Sequence, residues 1–331
     1  MLSLPDFRQK QVVYIECLKN KKVRFANQNL VIEEKTINPK TKKEKWVIIT
    51  QIPCGKIFAV FILGNFSFSS VLVDRFQKHG ISLFFLNFNF RCYGSFGAQT
   101  EGNVLLRKKQ YTLTNTQSLF IAKHIIYNKI KNHVFLLQEI RNKTDEEKRA
   151  IKQCDSIAES IKNASSQKEL LGHEGSAAKI FFSAYFSDMK WHGRKPRTKF
   201  DIVNTLLDRG YTTLFNIVES LLKIYGFDVY CGVYHQFFYQ RKSLVCDIIE
   251  PFRCIIDKAL RKAHHLGQIH EKDFSIYGHQ YVLEWKKSAP YSKIFLQAIM
   301  KNKEEIFLYT QQYYRNFITE KFSNLPFFIP K

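Results

Sequence analysis

One histidine and two carboxylates in the last third of the chain have the types and spacing of metal ligands. His235 is followed 12 and 15 residues later by Asp247 and Glu250. A helix would place these two carboxylates on one face, because they are three residues apart. Together the three residues offer the mixed nitrogen and oxygen donors that suit a divalent cation. Taken singly, however, the histidine is better explained as an ordinary hydrogen-bonded or exposed residue, and the acidic pair as a solvated helix face.

A further carboxylate, Glu174, strengthens the metal interpretation. It is followed by Gly175, Ser176 and Ala177 and then by the apolar run 180–186. Such small residues let another backbone approach closely, as a DNA strand beside a metal would have to. The basic segment 192–199, which includes Arg194, fits a loop over that strand, and fits a solvated linker equally well.

The charge of the chain favours a polyanionic partner. Lys and Arg number 51 and Asp and Glu 29 among 331 residues, which gives a net charge of +22. Such a surplus attracts nucleic acid and makes its binding depend on salt. The alternative is codon bias, since an AT-rich genome also yields abundant Lys, Asn, Ile and Phe.

Other sequence features point to a protein of the cytoplasm. The 7 cysteines are scattered and include no C-x-x-C pair, which suits reduced thiols. Residues 1–7 lack the basic and apolar regions of a signal peptide. The most apolar run, 81–90, is interrupted by Asn87 and Asn89 and is too short to span a bilayer, so no membrane association is expected.

The hydrophobic patterns predict an α+β protein, with an N-terminal β-rich domain followed by an all-α C-terminal catalytic domain. We place these domains at residues 1–95 and 105–331, with a linker of small and polar residues at 96–104. Alternation predicts strands at 12–18, 24–25, 30–32, 46–52, 57–63 and 81–86, and one helix capped by Ser67 or Ser69 that ends at Gly80. Periodicity of three and four residues predicts helices at 116–132, 145–163, 201–225 and 304–321.

Four motifs in the helical half occur in an order that resembles the CRISPR-associated integrase family Cas1. They are 172–178 around Glu174, 200–211 with Asn204 and Tyr211, 232–235 ending in His235, and 241–253. The resemblance covers most of the chain, and is specific in the helical half.

The resemblance implies that Glu174, His235 and Glu250 bind the catalytic metal, with Asp247 as a neighbouring acidic residue. It also implies a homodimer formed through the N-terminal domain, a larger complex with the small partner protein Cas2, and a prokaryotic host. The expected substrates are double-stranded DNAs, namely the prespacer and the CRISPR repeat, and the expected role is spacer acquisition in antiviral defence.

The expected chemistry is phosphodiester transesterification by a 3′-hydroxyl, assisted by Mg²⁺ or Mn²⁺. A nitrogen ligand suits Mn²⁺ better than Mg²⁺, and three ligands favour a single ion. Four basic residues are expected to contact phosphates, namely Arg194, Arg241, Lys242 and Arg253. Asn204 and Tyr211 are expected to support the site from behind the ligands.

Two alternatives remain open at this point. A water nucleophile would make the same site a structure-specific DNA endonuclease. If Glu174, His235 and Glu250 make only structural hydrogen bonds, the chain is a non-catalytic nucleic-acid-binding protein. No ligand role is assigned to the other histidines near the C-terminus, and the tail 325–330 is expected to pack on the domain or to dock a partner.

Overall fold

The structure is a computed structural model that describes residues 2–16, 21–37, 42–64, 70–87, 90–97, 100, 102–189, 191, 193–235 and 238–331. The chain forms two compact units, Met1–Thr100 and Glu101–Lys331. Several predicted features lie outside the described residues, namely the caps Ser67 and Ser69, the end of the first strand at Cys17 and Leu18, and His192 of the basic segment.

The first unit consists mainly of strands. Its helices are α1 (Leu4–Arg8) and α2 (Ser70–Lys78), and its strands are β1 (Gln11–Glu16), β2 (Lys21–Ala26), β3 (Asn29–Ile37), β4 (Glu44–Pro53), β5 (Ile57–Leu63), β6 (Ser82–Leu86) and β7 (Cys92–Phe96).

These strands form two sheets within the described part of this unit. In one sheet β1, β5 and β6 run parallel and β7 is antiparallel to β6, while β2, β3 and β4 form an antiparallel meander. Every residue of β5 is buried, as expected for an uninterrupted apolar run in an interior strand. Leu72 and Phe76 of α2 join the same core. The β-rich character predicted for this half is thereby confirmed, although β7 was not predicted.

The second unit is mostly helical. Its helices are α3 (Val104–Tyr111), α4 (Asn115–Gln138), α5 (Asp145–Ile161), α6 (Gln167–Tyr185), α7 (Ile202–Tyr225), α8 (Ser243–Ile248), α9 (Arg253–His265), α10 (Ser288–Lys301) and α11 (Lys303–Ile318), and its strands are β8 (Phe274–Tyr277) and β9 (Gln280–Leu283).

Local sequence signals set the ends of the helices that carry the candidate site. The side chains of Thr114 and Ser166 cap the first turns of α4 and α6, and Asp201 caps α7. Gly226 ends α7 at φ +89°, a left-handed conformation that glycine adopts without strain. The predicted helix at 201–225 therefore matches α7 closely.

The hairpin of β8 and β9 departs from the expected all-helical composition of this half. Its two turn residues, Gly278 and His279, have φ of +50° and +67°, the backbone of a tight two-residue hairpin turn. Because Asn-Gly is the usual sequence for such a turn, Gly-His gave no recognisable signal.

No helix within the described ranges is long and apolar enough to cross a membrane. The cysteines with described positions, Cys54, Cys92, Cys154, Cys231, Cys246 and Cys254, are free thiols.

Candidate active site

The structure brings Glu174 and Glu250 together on the side chain of Lys129. Glu174 lies in α6, Glu250 begins a 3-10 turn at Glu250–Phe252, and Lys129 lies in the middle of α4. The Lys129 ammonium contacts Glu174 Oε1 and lies 2.6 Å from Glu250 Oε2. Only 9% of the Lys129 side chain and 4% of the Glu250 side chain are exposed. The two predicted carboxylates thus converge on one cation, which the chain itself supplies.

The charges of this cluster stabilise one another. Burial opposes the ionised form of Glu250, but Arg253, Lys129 and His235 outweigh it and hold the pKa of Glu250 well below its ordinary value. Burial likewise opposes the charge on Lys129, but Glu174 and Glu250 outweigh it and raise the pKa of the ammonium. Glu250 and Lys129 are therefore charged at neutral pH.

Arg253 is the second cation on Glu250. Its Nε donates to Glu250 Oε2 over 3.0 Å, and its guanidinium lies 4.6 Å from the centre of the Tyr211 ring. The Tyr211 hydroxyl donates to Asp257 Oδ1 over 2.5 Å. Tyr211 thus contacts Arg253, the residue that binds Glu250, and its supporting role stays a prediction.

Asp247 accepts the hydrogen bonds that hold the segment carrying His235 in place. Its Oδ2 accepts hydrogen bonds from the backbone amides of Val233 and Tyr234, at 2.6 and 3.1 Å. Its Oδ1 accepts from the His235 amide at 2.9 Å and from His235 Nδ1 at 2.7 Å. Because a carboxylate can only accept, Nδ1 carries a proton, and in the neutral ring Nε2 then keeps its lone pair. The neutral form of His235 is therefore the tautomer in which Nε2 can bind a metal.

Gly232 is needed for this close approach. A Cβ at this position would lie 2.7 Å from Asp247 Oδ2 and 2.8 Å from Ser243 Cβ. Any larger residue would push segment 232–235 away from the carboxylate that holds it.

Asp247 and Glu250 do not lie on one helix face, contrary to the expectation from their spacing. Helix α8 ends at Ile248, and Pro251 follows within the 3-10 turn. Proline has no amide hydrogen to continue the α-helical pattern, so one regular α-helix does not run through both carboxylates. Asp247 consequently faces segment 232–235, whereas Glu250 faces Lys129 and Arg253.

A complete group of three ligands is not assembled. Within the ranges that the structure describes, no three His, Cys, Asp or Glu side chains are gathered closely enough to hold a metal. His235 is near enough to lower the pKa of Glu250, but its own contact is with Asp247. The convergence of Glu174, Glu250 and His235 on one cation stays a prediction.

The donor chemistry nevertheless fits a divalent cation. Two carboxylates already converge on a positive charge, and in the neutral His235 ring the bond from Nδ1 to Asp247 leaves Nε2 as the nitrogen with a free lone pair. Carboxylate oxygen with one imidazole nitrogen suits Mn²⁺ and is compatible with Mg²⁺.

Three of the predicted phosphate-binding residues have carboxylate partners within the chain. Arg194 lies 2.7 Å from Asp208, Lys242 lies 2.7 Å from the buried Glu219, and Arg253 binds Glu250 as described. In Arg241, by contrast, Nε is buried and has no hydrogen-bond partner among the described atoms. The Arg241 side chain does have a partner in Cys246, since a hydrogen bond between them opposes the effect of burial, which raises the pKa of the Cys246 thiol.

Asn204 organises the basic segment before α7. Its Oδ1 accepts from Arg194 Nη1 and from the Lys195 amide, both at 2.9 Å, and its Nδ2 donates to Gly193 O at 2.9 Å. The Arg194 guanidinium lies 5.5 Å from the centre of the Tyr211 ring. Asn204 thus holds Arg194 directly, and Arg194 in turn contacts the Tyr211 ring.

Sequence reasoning missed the polar face of α4. Besides Lys129, it includes Asn132, whose Nδ2 donates to Pro251 O over 2.9 Å, and His133, whose ring stacks on Phe181 with centres 3.9 Å apart. Burial, reinforced by the charge of Lys129, lowers the pKa of His133 well below its ordinary value. The available signal was a row of polar residues on the face of α4 that should be apolar.

Comparison with known proteins gives one consistent result. Residues 17–301 match the family described as CRISPR associated protein Cas1. The CRISPR-associated endonuclease Cas1 of Thermodesulfovibrio yellowstonii is 34% identical over 65% of this chain and 72% of its own length. The corresponding protein of Chlorobaculum tepidum is 31% identical over 69% of this chain and 71% of its own.

Solved structures share the fold. A casposase bound to integration product has a TM-score of 0.76 at 19% identity, and the match covers 96% of this chain and 94% of that chain. A Cas1 protein from Thermotoga maritima has a TM-score of 0.73 at 21% identity, over 93% of this chain and 97% of that one. A Cas6-RT-Cas1–Cas2 complex has a TM-score of 0.78 at 19% identity, over 97% of this chain and 36% of that one.

Proposed function

This chain belongs to the Cas1 family of CRISPR-associated proteins, and on that premise we propose that it is a metal-dependent DNA integrase of CRISPR adaptation. It would insert short DNA duplexes into the CRISPR array by attack of a 3′-hydroxyl on a phosphodiester. The observation that carries the proposal is the convergence of Glu174 and Glu250 on one cation, beside a histidine whose tautomer is set by Asp247.

Glu174, Glu250 and His235 Nε2 are the proposed ligands of Mg²⁺ or Mn²⁺. A bound divalent ion acts as a Lewis acid towards the phosphoryl group and favours deprotonation of the attacking hydroxyl. Asp247 keeps His235 in the binding tautomer, and Arg253 compensates the charge of Glu250. Asn204 and Tyr211 act as positioning residues through their contacts with Arg194 and Arg253.

Double-stranded DNA is the proposed substrate, as both prespacer and CRISPR repeat. The net charge of +22 supports binding to phosphates. Of the predicted phosphate contacts, Arg241 has no carboxylate partner among the described contacts, while Arg194, Lys242 and Arg253 would have to share or exchange their present carboxylate partners. We further propose a homodimer that acts with Cas2 in a prokaryotic cytoplasm, since one structural neighbour is a complex that contains Cas1 and Cas2.

The test is a strand-transfer assay with the purified protein, Cas2, a short duplex and a plasmid that carries the repeat. We expect a joined product in Mg²⁺ or Mn²⁺ that disappears when the duplex ends are 3′-deoxy. Glu174→Gln should reduce joining by at least about 100-fold, because a ligand carboxylate is lost. Glu159→Gln, which removes a surface carboxylate paired with Lys162, is the matched control and should leave joining unchanged.

Two results would replace this function with another. Plasmid cleavage that does not depend on the duplex ends would identify an endonuclease, the activity for which the relatives are named. The ion pair of Glu174 with Lys129 also fits a purely structural role. In that case Glu174→Gln would lower the melting temperature, and DNA binding would decline only as the protein unfolds.

A further inference from the structure

Lys129 binds the same two carboxylates that the proposed function assigns to the metal. Its ammonium contacts Glu174 Oε1 and Glu250 Oε2, and it is almost fully enclosed. The neighbouring residues fix the helix on either side of it. Asn128 binds the backbone of Phe328, and Asn132 binds Pro251 O next to Glu250. Lys129 is therefore directed at the carboxylates by a firmly held backbone.

The charges of the cluster balance only while Lys129 is the cation between the carboxylates. Glu174 and Glu250 supply two negative charges, and Lys129 and Arg253 supply two positive ones. A divalent cation on the same oxygens would add two positive charges in direct contact with an ammonium, in an enclosed region where such repulsion is weakly screened. The ammonium and the divalent ion therefore cannot both contact the pair.

Of the two resident cations, Lys129 is the one able to leave. Its charge is a point at the end of a flexible four-carbon stem. The Arg253 guanidinium is planar and is held 4.6 Å from the Tyr211 ring as well as on Glu250. Displacement of Lys129 would leave Arg253 in place and would halve the excess of positive charge that the divalent ion creates.

We propose that Lys129 is a resident counter-ion that holds Glu174 and Glu250 together and competes with the divalent cation for them. The proposal rests on the metal site of the proposed function. Without metal, Lys129 keeps the two carboxylates close together. Because the metal must first displace Lys129, a higher metal concentration is needed to fill the site. It is a positioning residue that sets the threshold for the metal.

The first test compares Mn²⁺ binding by wild type and Lys129→Met, measured from the electron paramagnetic resonance signal of free Mn²⁺. Methionine has a similar length and no charge, so competition is removed and we expect binding at least about tenfold tighter. The melting temperature of the metal-free variant should fall, because two buried carboxylates then repel each other, and Mn²⁺ should raise it more than in wild type.

Lys131→Met is the matched control. Lys131 lies two residues along the same helix and pairs with Asp155 at the surface, at 2.6 Å. This variant loses the same charge from the same helix, so we expect its Mn²⁺ affinity to stay within about twofold of wild type. Equal gains in both variants would show a general effect of charge and overturn the proposal, as would unchanged or weaker binding by a folded Lys129→Met.

Two further measurements separate this inference from the proposed function. If wild type binds no Mn²⁺, or if Glu174→Gln and Glu250→Gln bind it equally well, the proposed metal site itself fails. If Lys129→Met does not fold, acetylation of wild-type Lys129 by an amine-reactive reagent is followed by mass spectrometry. Saturating Mn²⁺ should increase labelling of a displaced Lys129, and unchanged or reduced labelling would contradict displacement.

Discussion

Asp257 is a fully buried carboxyl group in contact with the residues that support the candidate site. Its Oδ1 accepts from the Tyr211 hydroxyl, and its Oδ2 is buried without a hydrogen-bond partner among the described atoms. Burial raises its pKa from 3.8 to about 7, although the Tyr211 hydrogen bond and the charges of Arg253 and Arg194 oppose the change. Folding therefore favours the protonated form of Asp257.

The raised pKa predicts how stability depends on pH. In the unfolded chain Asp257 ionises near its ordinary pKa, so between about pH 4 and pH 7 the folded state holds more protons, and stability falls as pH rises. From pH 5 to pH 8 wild type should lose about 2–3 kcal/mol from this group. Asp257→Asn should lack that loss.

Urea unfolding at the two pH values measures this difference. Asp155→Asn, which removes an exposed carboxylate, is the control and should follow wild type. Parallel pH dependence in wild type and Asp257→Asn would show that Asp257 does not take up a proton on folding.

The residues of the site could be predicted only in part. Spacing drew attention to His235, Asp247 and Glu250, and the structure does connect His235 with Asp247. It was not predictable that both Asp247 oxygens accept hydrogen bonds from segment 232–235. These bonds depend on how this segment lies against α8 in the folded chain. Lys129 was missed because lysine usually indicates a solvated surface, and its partners lie far away in the sequence.

The C-terminal tail connects the two elements that hold Lys129 and Glu250. The Asn128 side chain binds both the carbonyl and the amide of Phe328, at 2.7 and 2.8 Å. The Phe328 ring packs against Phe252 with centres 4.9 Å apart. One residue of the tail thus contacts α4 next to Lys129 and the 3-10 turn that begins at Glu250. Of the two expectations for this tail, packing on its own domain is the one that the structure shows.

This arrangement predicts different effects for two adjacent phenylalanines. Phe328 is 2% exposed and Phe327 is 44% exposed. Phe328→Ala should destabilise the protein by about 3 kcal/mol through the cavity that it leaves. It should also weaken Mn²⁺ binding, because α4 and the turn lose their common contact. Phe327→Ala should change stability by less than about 1 kcal/mol.

Thermal unfolding and Mn²⁺ titration of both variants check this prediction. A folded Phe328→Ala protein with unaltered Mn²⁺ affinity would show that the tail adds stability without positioning the site.

At the level of secondary structure, strong periodicity was sufficient for prediction and weak turn signals were not. The fully apolar β5 and the long stripe of α7 were both predicted from sequence. Strand β7 was missed because its segment contains Gly94 and Ser95, which resemble a loop. Helix α4 extends to Gln138, beyond the predicted end at 132. The prediction ended too early because Asn132 and His133 interrupt the apolar pattern of the helix, although both are buried.

The charge of the whole molecule predicts strongly salt-dependent DNA binding. If roughly six to ten phosphates are neutralised, affinity should fall by about 10³- to 10⁵-fold between 50 and 200 mM salt. Fluorescence anisotropy with a labelled duplex measures the binding constant at each salt concentration, and hence the slope of its logarithm against the logarithm of the salt concentration. Arg241→Gln should reduce the magnitude of the slope by about one, whereas Lys162→Gln, at a surface ion pair, should leave it unchanged. A slope near zero would exclude a mainly electrostatic interface.

The site is assembled from parts of the chain that are made at very different times during synthesis. Lys129 leaves the ribosome early, whereas Glu250 and its partner Arg253 follow only after most of the helical unit has been translated. A nascent or truncated polypeptide that stops before Glu250 lacks one of the two carboxylates that contact Lys129. The proposed metal site therefore cannot form before translation has passed Glu250.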